Sequence, residues 1–113
     1  MRIGYVRVSS LDQNPDRQIE DLKAQQVEKI FMEKISGKNT DRPELQKMLS
    51  FIREGDTLIV HSLDRLARNL ADLLTMVQEL TDRGVSVVFM NERLSFDAGA
   101  DASPTSKLML SMI

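Results

Sequence analysis

The sequence predicts an α/β domain of three layers. A mostly parallel sheet of four to five strands carries helices on both faces, and the start of a long carboxyl-terminal helix follows it. Three observations lead there. Strand-like and helix-like stretches alternate along the chain, as parallel strands joined by helical crossovers require. The first strand has apolar residues on both parities (Ile3, Tyr5, Val6, Val8), the mark of a strand buried on both faces. Between the strands, apolar residues recur with a helical period.

Taken in order, the chain opens with that first strand, in which Arg7 is out of place. A charged side chain there must reach the strand's end or find a partner. Ser9, Ser10, Leu11, Asp12, Gln13 and Asn14 follow, with Asn14 as cap and Pro15 as first residue of a helix reaching about Gln26. Val27 to Met32 reads as the second strand. The polar run from Glu33 to Thr40, holding Gly37, reads as a loop. Asp41 and Glu44 resemble a capping box around Pro43. Leu45, Met48, Leu49 and Ile52 then form one helical face. Gly55 turns the chain into a third strand, Thr57 to His61.

Ser62 to Asn69 leads into the third helix, where Leu66, Leu70, Leu73, Leu74, Val77 and Leu80 hold the period for four turns. Gly84 stops it. Val85 to Met90 is the fourth strand, and Arg93 to Phe96 adds a short edge strand. Residues 97–102 read as a flexible connection. Ser103 and Pro104 open a helix whose apolar residues, Leu108 to Ile113, call for a partner surface or a longer chain.

Composition narrows the chemistry. The 113 residues make one domain with a single core, 42% hydrophobic and 28% charged. Without cysteine there is no disulfide, thiolate metal site or cysteine nucleophile, and cytosol is the expected compartment. One histidine rules out a multi-histidine metal site. No run is apolar enough to span a membrane, and the amino terminus reads as a strand, not a signal peptide. A formal charge of −2 argues against nucleic-acid binding through bulk positive charge, while leaving room for a local basic site.

The first and third strands are the most apolar and are expected to be neighbours. Their carboxyl ends then bring Arg7 and Ser9 beside Asp64, Arg65 and Arg68, at the sheet edge where α/β proteins bind ligands. On a helix, Arg65 and Arg68 share a face. Guanidinium forks suit phosphate oxygens, and arginines around a serine suit attack on a phosphodiester better than on a neutral amide. The plainer alternatives are that Ser9 and Ser10 cap local backbone and that Arg65 and Arg68 form a solvated face paired with Asp64. His61, at a strand end without an evident carboxylate partner, reads as structural.

The run Tyr5-Val6-Arg7-Val8-Ser9-Ser10, with Gln13 and Gln18 downstream, resembles the amino-terminal signature of the serine recombinases, the family of transposon resolvases and DNA invertases. Ser36-Gly37 before Asp41-Arg42-Pro43, Gly55-Asp56-Thr57-Leu58, and Leu63-Asp64-Arg65-Leu66-Ala67-Arg68 resemble the family's later segments, in order and over essentially the whole chain. The resemblance implies a catalytic domain, residues 1–102, and the start of a dimerisation helix, residues 103–113, with the family's DNA-binding region lying beyond. It implies Ser9 as nucleophile on a DNA phosphate, forming a 5′-phosphoserine link. Arg7, Arg65 and Arg68 would hold the phosphate, and Asp64 would order the arginines or move a proton. Gln13, Gln18 and Arg42 would support them, with Tyr5 packed beside the site. No cofactor or metal is implied. The implied partners are double-stranded DNA at a recombination site and further copies of the chain, a homodimer that becomes a tetramer during recombination; the fragment alone is expected to bind DNA weakly and recombine nothing. Ala67 replaces a glycine common in the family, and alanine's helix propensity predicts little effect. A non-covalent phosphate- or nucleotide-binding domain and a bare dimerisation module are the rival readings; no glycine-rich phosphate loop favours the former.

Overall fold

The computed structural model describes residues 1–9, 15–35, 42–67 and 69–98. The elements are β1 (Arg2–Ser9), α1 (Pro15–Ala24), β2 (Lys29–Ile35), α2 (Pro43–Phe51), β3 (Thr57–Val60), α3 (Leu63–Leu66), α4 (Leu70–Asp82), β4 (Ser86–Phe89) and β5 (Leu94–Phe96). They build the expected α/β architecture. The sheet runs β2-β1-β3-β4-β5, parallel except for β5, which pairs antiparallel with β4. β1 and β3 are neighbours, as their composition predicts.

β1 divides its side chains between two cores, as a strand's alternation dictates. Ile3 and Tyr5 enter the larger one, with Leu45 and Met48 of α2 and Leu73, Val77 and Leu80 of α4. Val6 and Val8 join Leu22 of α1 on the opposite face. Gly4 lies under α1: a Cβ there would stand 3.1 Å from Val27 Cγ1 and 3.2 Å from Leu22 Cδ1. Helix α4 ends as Gly84 predicts. That residue has φ +85°, its N–H donates to Thr81 O at 3.1 Å, and the Val85 N–H donates to Leu80 O at 2.9 Å. This is a Schellman closure. Among the described residues, no helix is long and apolar enough to cross a membrane.

Three expectations are corrected. The loop predicted from Glu33 begins later, because Glu33, Lys34 and Ile35 continue β2 opposite Arg7, Val8 and Ser9. The single third helix is two helices. α3 ends at Leu66, Ala67 is extended at φ −141° and ψ 157°, and α4 restarts after Asn69. The cause is a cap inside the apolar repeat: Asn69 Oδ1 accepts from the Asp72 N–H at 2.8 Å. Ala67 therefore stands in a linker, and helix propensity is no reason for its tolerance. Finally, the helix start around Pro43 is capped one residue later than the predicted Asp41. The N-cap is Arg42, which makes no side-chain cap bond, and Asp41 lies outside the described residues. Also outside them are the proposed cap Asn14, the connection from residue 99 onward and the helix expected from Ser103.

Candidate active site

The register of the sheet creates the site. Tyr5↔Val60 is the last β1–β3 pair, whereas β1 continues to Ser9 against β2. β1 thus outruns β3 at the carboxyl edge. The chain leaving β3 fills the space with α3, a four-residue helix that lays Asp64 and Arg65 against the overhang. Two reciprocal bonds tie them together. Arg7 Nη2 donates to the carbonyl of Asp64, and Arg65 Nη1 donates to the carbonyl of Arg7 at 3.1 Å. Arg42 adds a third guanidinium from the start of α2. Its Nη2 reaches Tyr5 Oη at 2.9 Å and Arg65 O at 3.2 Å, its Nε reaches Tyr5 Oη at 3.2 Å, and its Cζ lies 5.3 Å from the centre of the Tyr5 ring.

Arg7, Arg42 and Arg65 are thus each oriented by uncharged oxygens. Charges of one sign gathered this way repel, and the strain shows on Arg7. Burial, then the positive charges of Arg42 and Arg65, draw its guanidinium below its ordinary pKa, against the opposing influence of Tyr5 and Asp64. Tyr5 is fully buried. Burial raises its phenol above the ordinary value, outweighing the downward pull of Arg42. At neutral pH it is an uncharged acceptor that fixes Arg42. Asp64 divides its labour: its carbonyl holds Arg7, and its carboxylate accepts from Ser62 Oγ at 2.5 Å.

Of the residues named from sequence, the structure brings together Tyr5, Arg7, Arg42, Asp64 and Arg65 at the strand end that Ser9 closes. Gln18 lies on α1, 9% exposed, and its Oε1 has no hydrogen-bond partner among the described residues. Ser10, Gln13 and Arg68 fall outside those residues, so the shared helix face of Arg65 and Arg68 is not described, and α3 stops short of Arg68. His61 does have a carboxylate neighbour, contrary to expectation: Asp21 Oδ2 of α1 stands 3.7 Å from its Nε2.

Glu33 is the site residue that sequence reading missed. It is 2% exposed and sits opposite Arg7 in the β1–β2 register. Its carboxylate accepts from the N–H groups of Glu44, at 3.1 Å to both oxygens, and of Leu45, at 3.2 Å. It therefore caps α2 from a neighbouring strand, at the end where a negative charge is favoured. The available signal was alternation. Phe31 and Glu33 are two apart, and a strand carried past Met32 turns both the same way.

The sequence matches a family model described as the N-terminal domain of resolvases over residues 2–113. It is 60% identical over 112 residues to the transposon Tn501 resolvase of Pseudomonas aeruginosa, covering 99% of this chain and 58% of that protein. To the serine recombinase gin of Escherichia phage Mu it is 49% identical over 86 residues, 76% of this chain and 45% of the relative. The fold is similar to the crystal structure of a resolvase family site-specific recombinase from Streptococcus pneumoniae. There the TM-score is 0.69 at 21% identity, over 98% of this chain and 83% of the other. The chain spans under three fifths of the Tn501 relative's length.

Proposed function

The chain belongs to the serine recombinases, as a resolvase-type N-terminal catalytic domain, and on that premise we propose that it cleaves and rejoins double-stranded DNA at a specific site through Ser9. In this reading Ser9 Oγ attacks a backbone phosphorus. The bond from phosphorus to the 3′ oxygen breaks, the 3′ oxygen leaves as a hydroxyl, and the 5′ phosphate stays on serine. Rejoining is the reverse, so the phosphodiester's energy is conserved. Arg7, Arg65 and Arg68 hold the phosphate, and Arg42 and Tyr5 brace them. Asp64 orders Arg7 through its carbonyl. Gln13 and Gln18 are supporting residues.

One observation carries the proposal. Arginines converge on the end of β1, fixed by uncharged oxygens, and Arg7 is pulled below its ordinary pKa by burial and by the other two cations. A phosphate bearing developing negative charge relieves that repulsion. The same reading makes residues 103–113 the start of a dimerisation helix. Two copies would pair on DNA in the cytoplasm, and four would assemble for strand exchange.

The test joins the chain to a site-specific DNA-binding domain and offers nicked DNA carrying paired target sites. The expected product is a protein–DNA adduct that survives denaturant and is absent in Ser9→Ala. An adduct that persists in Ser9→Ala and vanishes in Ser10→Ala moves the role to Ser10. DNA binding with no adduct in any variant favours a non-covalent phosphate-binding domain. Arg68→Lys is expected to lose cleavage, because lysine lacks the bidentate fork; full activity in that variant refutes the assigned role.

A further inference from the structure

We infer that Glu92, in the turn between β4 and β5, is a positioning residue for the arginine cluster; the inference rests on the catalytic reading above. Four residues cannot sustain a helix by themselves, and the break at Ala67 denies α3 the support of α4. Its own N-cap does not help, since the Ser62 hydroxyl makes no cap bond and donates to Asp64 instead. The cap comes from elsewhere: the Leu63 N–H donates to Glu92 Oε1 at 3.2 Å, from 29 residues away in sequence.

The backbone around Glu92 is built to deliver that carboxylate. Past the end of β4, the Met90 N–H still donates to Val60 O at 3.0 Å and the Asn91 N–H to His61 O at 2.8 Å. These bonds carry the β3–β4 ladder up to the point where Glu92 meets α3. Arg93 then reverses the chain at φ +56°, a conformation that costs a residue with a side chain. Both site contacts of α3 depend on where that helix sits. The Asp64 carbonyl orients Arg7, and Arg65 spans Arg7 O with its side chain and Arg42 with its carbonyl. Glu92 reaches the cluster through the backbone of α3. It sets the element on which the arginines meet.

The test compares Glu92→Ala with Glu92→Gln, whose amide oxygen still accepts from Leu63. In the DNA-cleavage assay, Glu92→Ala is expected to slow adduct formation about tenfold to hundredfold at saturating DNA, with DNA affinity unchanged. Glu92→Gln is expected to stay within about threefold of the parent, since it preserves the capping oxygen. In this chain alone, nuclear magnetic resonance is expected to show faster exchange of the Leu63 amide and shifted Arg7 and Arg65 guanidinium signals in Glu92→Ala, with both restored in Glu92→Gln. If alanine does not fold, Glu92→Asp, one methylene short of Leu63, takes its place and reads the same way. Parent-like cleavage in Glu92→Ala overturns the inference. So does an equal loss in Glu92→Gln, which would mean that charge matters and the capping bond does not. If the parent itself forms no adduct, the Ser9 reading has failed, and the resonance measurements decide on Glu92: unmoved arginine signals in Glu92→Ala overturn it.

Discussion

Tyr5 is the only tyrosine in the chain, and there is no tryptophan, so its ultraviolet signal reports on the site alone. Its phenol is raised by burial and drawn back by the Arg42 guanidinium bonded to it. A raised phenol stabilises the fold below its unfolded pKa of about 10, and that contribution is lost as pH rises past the folded value. Phenolate absorbance is therefore expected to titrate above pH 10. In Arg42→Met the midpoint should move further up, since the substitution removes the influence that lowers it. An unmoved midpoint would show that Arg42 does not rest on Tyr5 in solution. Glu33 offers a second check. Glu33→Ala strips the cap from α2 and is expected to cost about 1–2 kcal/mol in urea unfolding. A cost near zero would mean that those amides find another acceptor. The contrast between Arg7 and Glu33 shows what sequence reveals at this scale. An arginine in an apolar strand is conspicuous, because burying it requires a reason. Glu33, beside Lys34 and ahead of Ser36-Gly37, looked like ordinary loop, because its partners are backbone amides that no pattern advertises.

Among the elements, the strands and the adjacency of β1 and β3 were legible because burial on both faces leaves a strong apolar signature. The break between α3 and α4 was hidden by a similar regularity. Leu66 lies in the large core and Leu70 packs against it, so their spacing continues across the gap as though one helix ran through. The interrupting signal, Asn69 three residues before Asp72, is short and lies inside the repeat. That break determines the site, since it frees α3 to meet β1 at its own angle. The turn from α2 into β3 carries another testable element. Burial pushes the Asp56 carboxyl up, but bonds from the Arg53 amide, at 2.9 Å, and the Met1 ammonium, at 3.0 Å, bring it below its ordinary value. A depressed carboxyl stabilises the fold above its unfolded pKa of about 3.9, and the contribution is lost as pH falls through the folded value. Urea midpoints are expected to fall on that acid limb, and less steeply in Asp56→Asn. Parallel limbs in the two proteins would remove Asp56 from the account.

For the molecule as a whole, the two hydrophobic clusters share β1, with Tyr5 in one and Val6 in the other. Neither can melt without releasing that strand. Tyrosine fluorescence and far-ultraviolet circular dichroism are expected to give coincident urea transitions, the sign of one cooperative unit. Separated transitions would show that α1 and its cluster unfold independently. At this scale the whole of the family assignment and most of the architecture were readable, because four short motifs in register constrain one another. Legibility ended where a contact joins side chain to backbone across the sheet, as Arg7 does with Asp64 and Arg42 with Arg65.

The overhang of β1 beyond β3 also has a consequence in time. Arg7 is synthesised early, yet the carbonyl that orients it belongs to Asp64, 57 residues later, and β1 lies between two strands that follow it in the chain. A nascent chain that has not yet released Arg65 therefore has its serine strand but no assembled arginine cluster. Non-local pairings of this kind form late, after the cost of closing the intervening loops has been met. Synthesis itself thus withholds the assembled arginine cluster until more than half of the chain has been made.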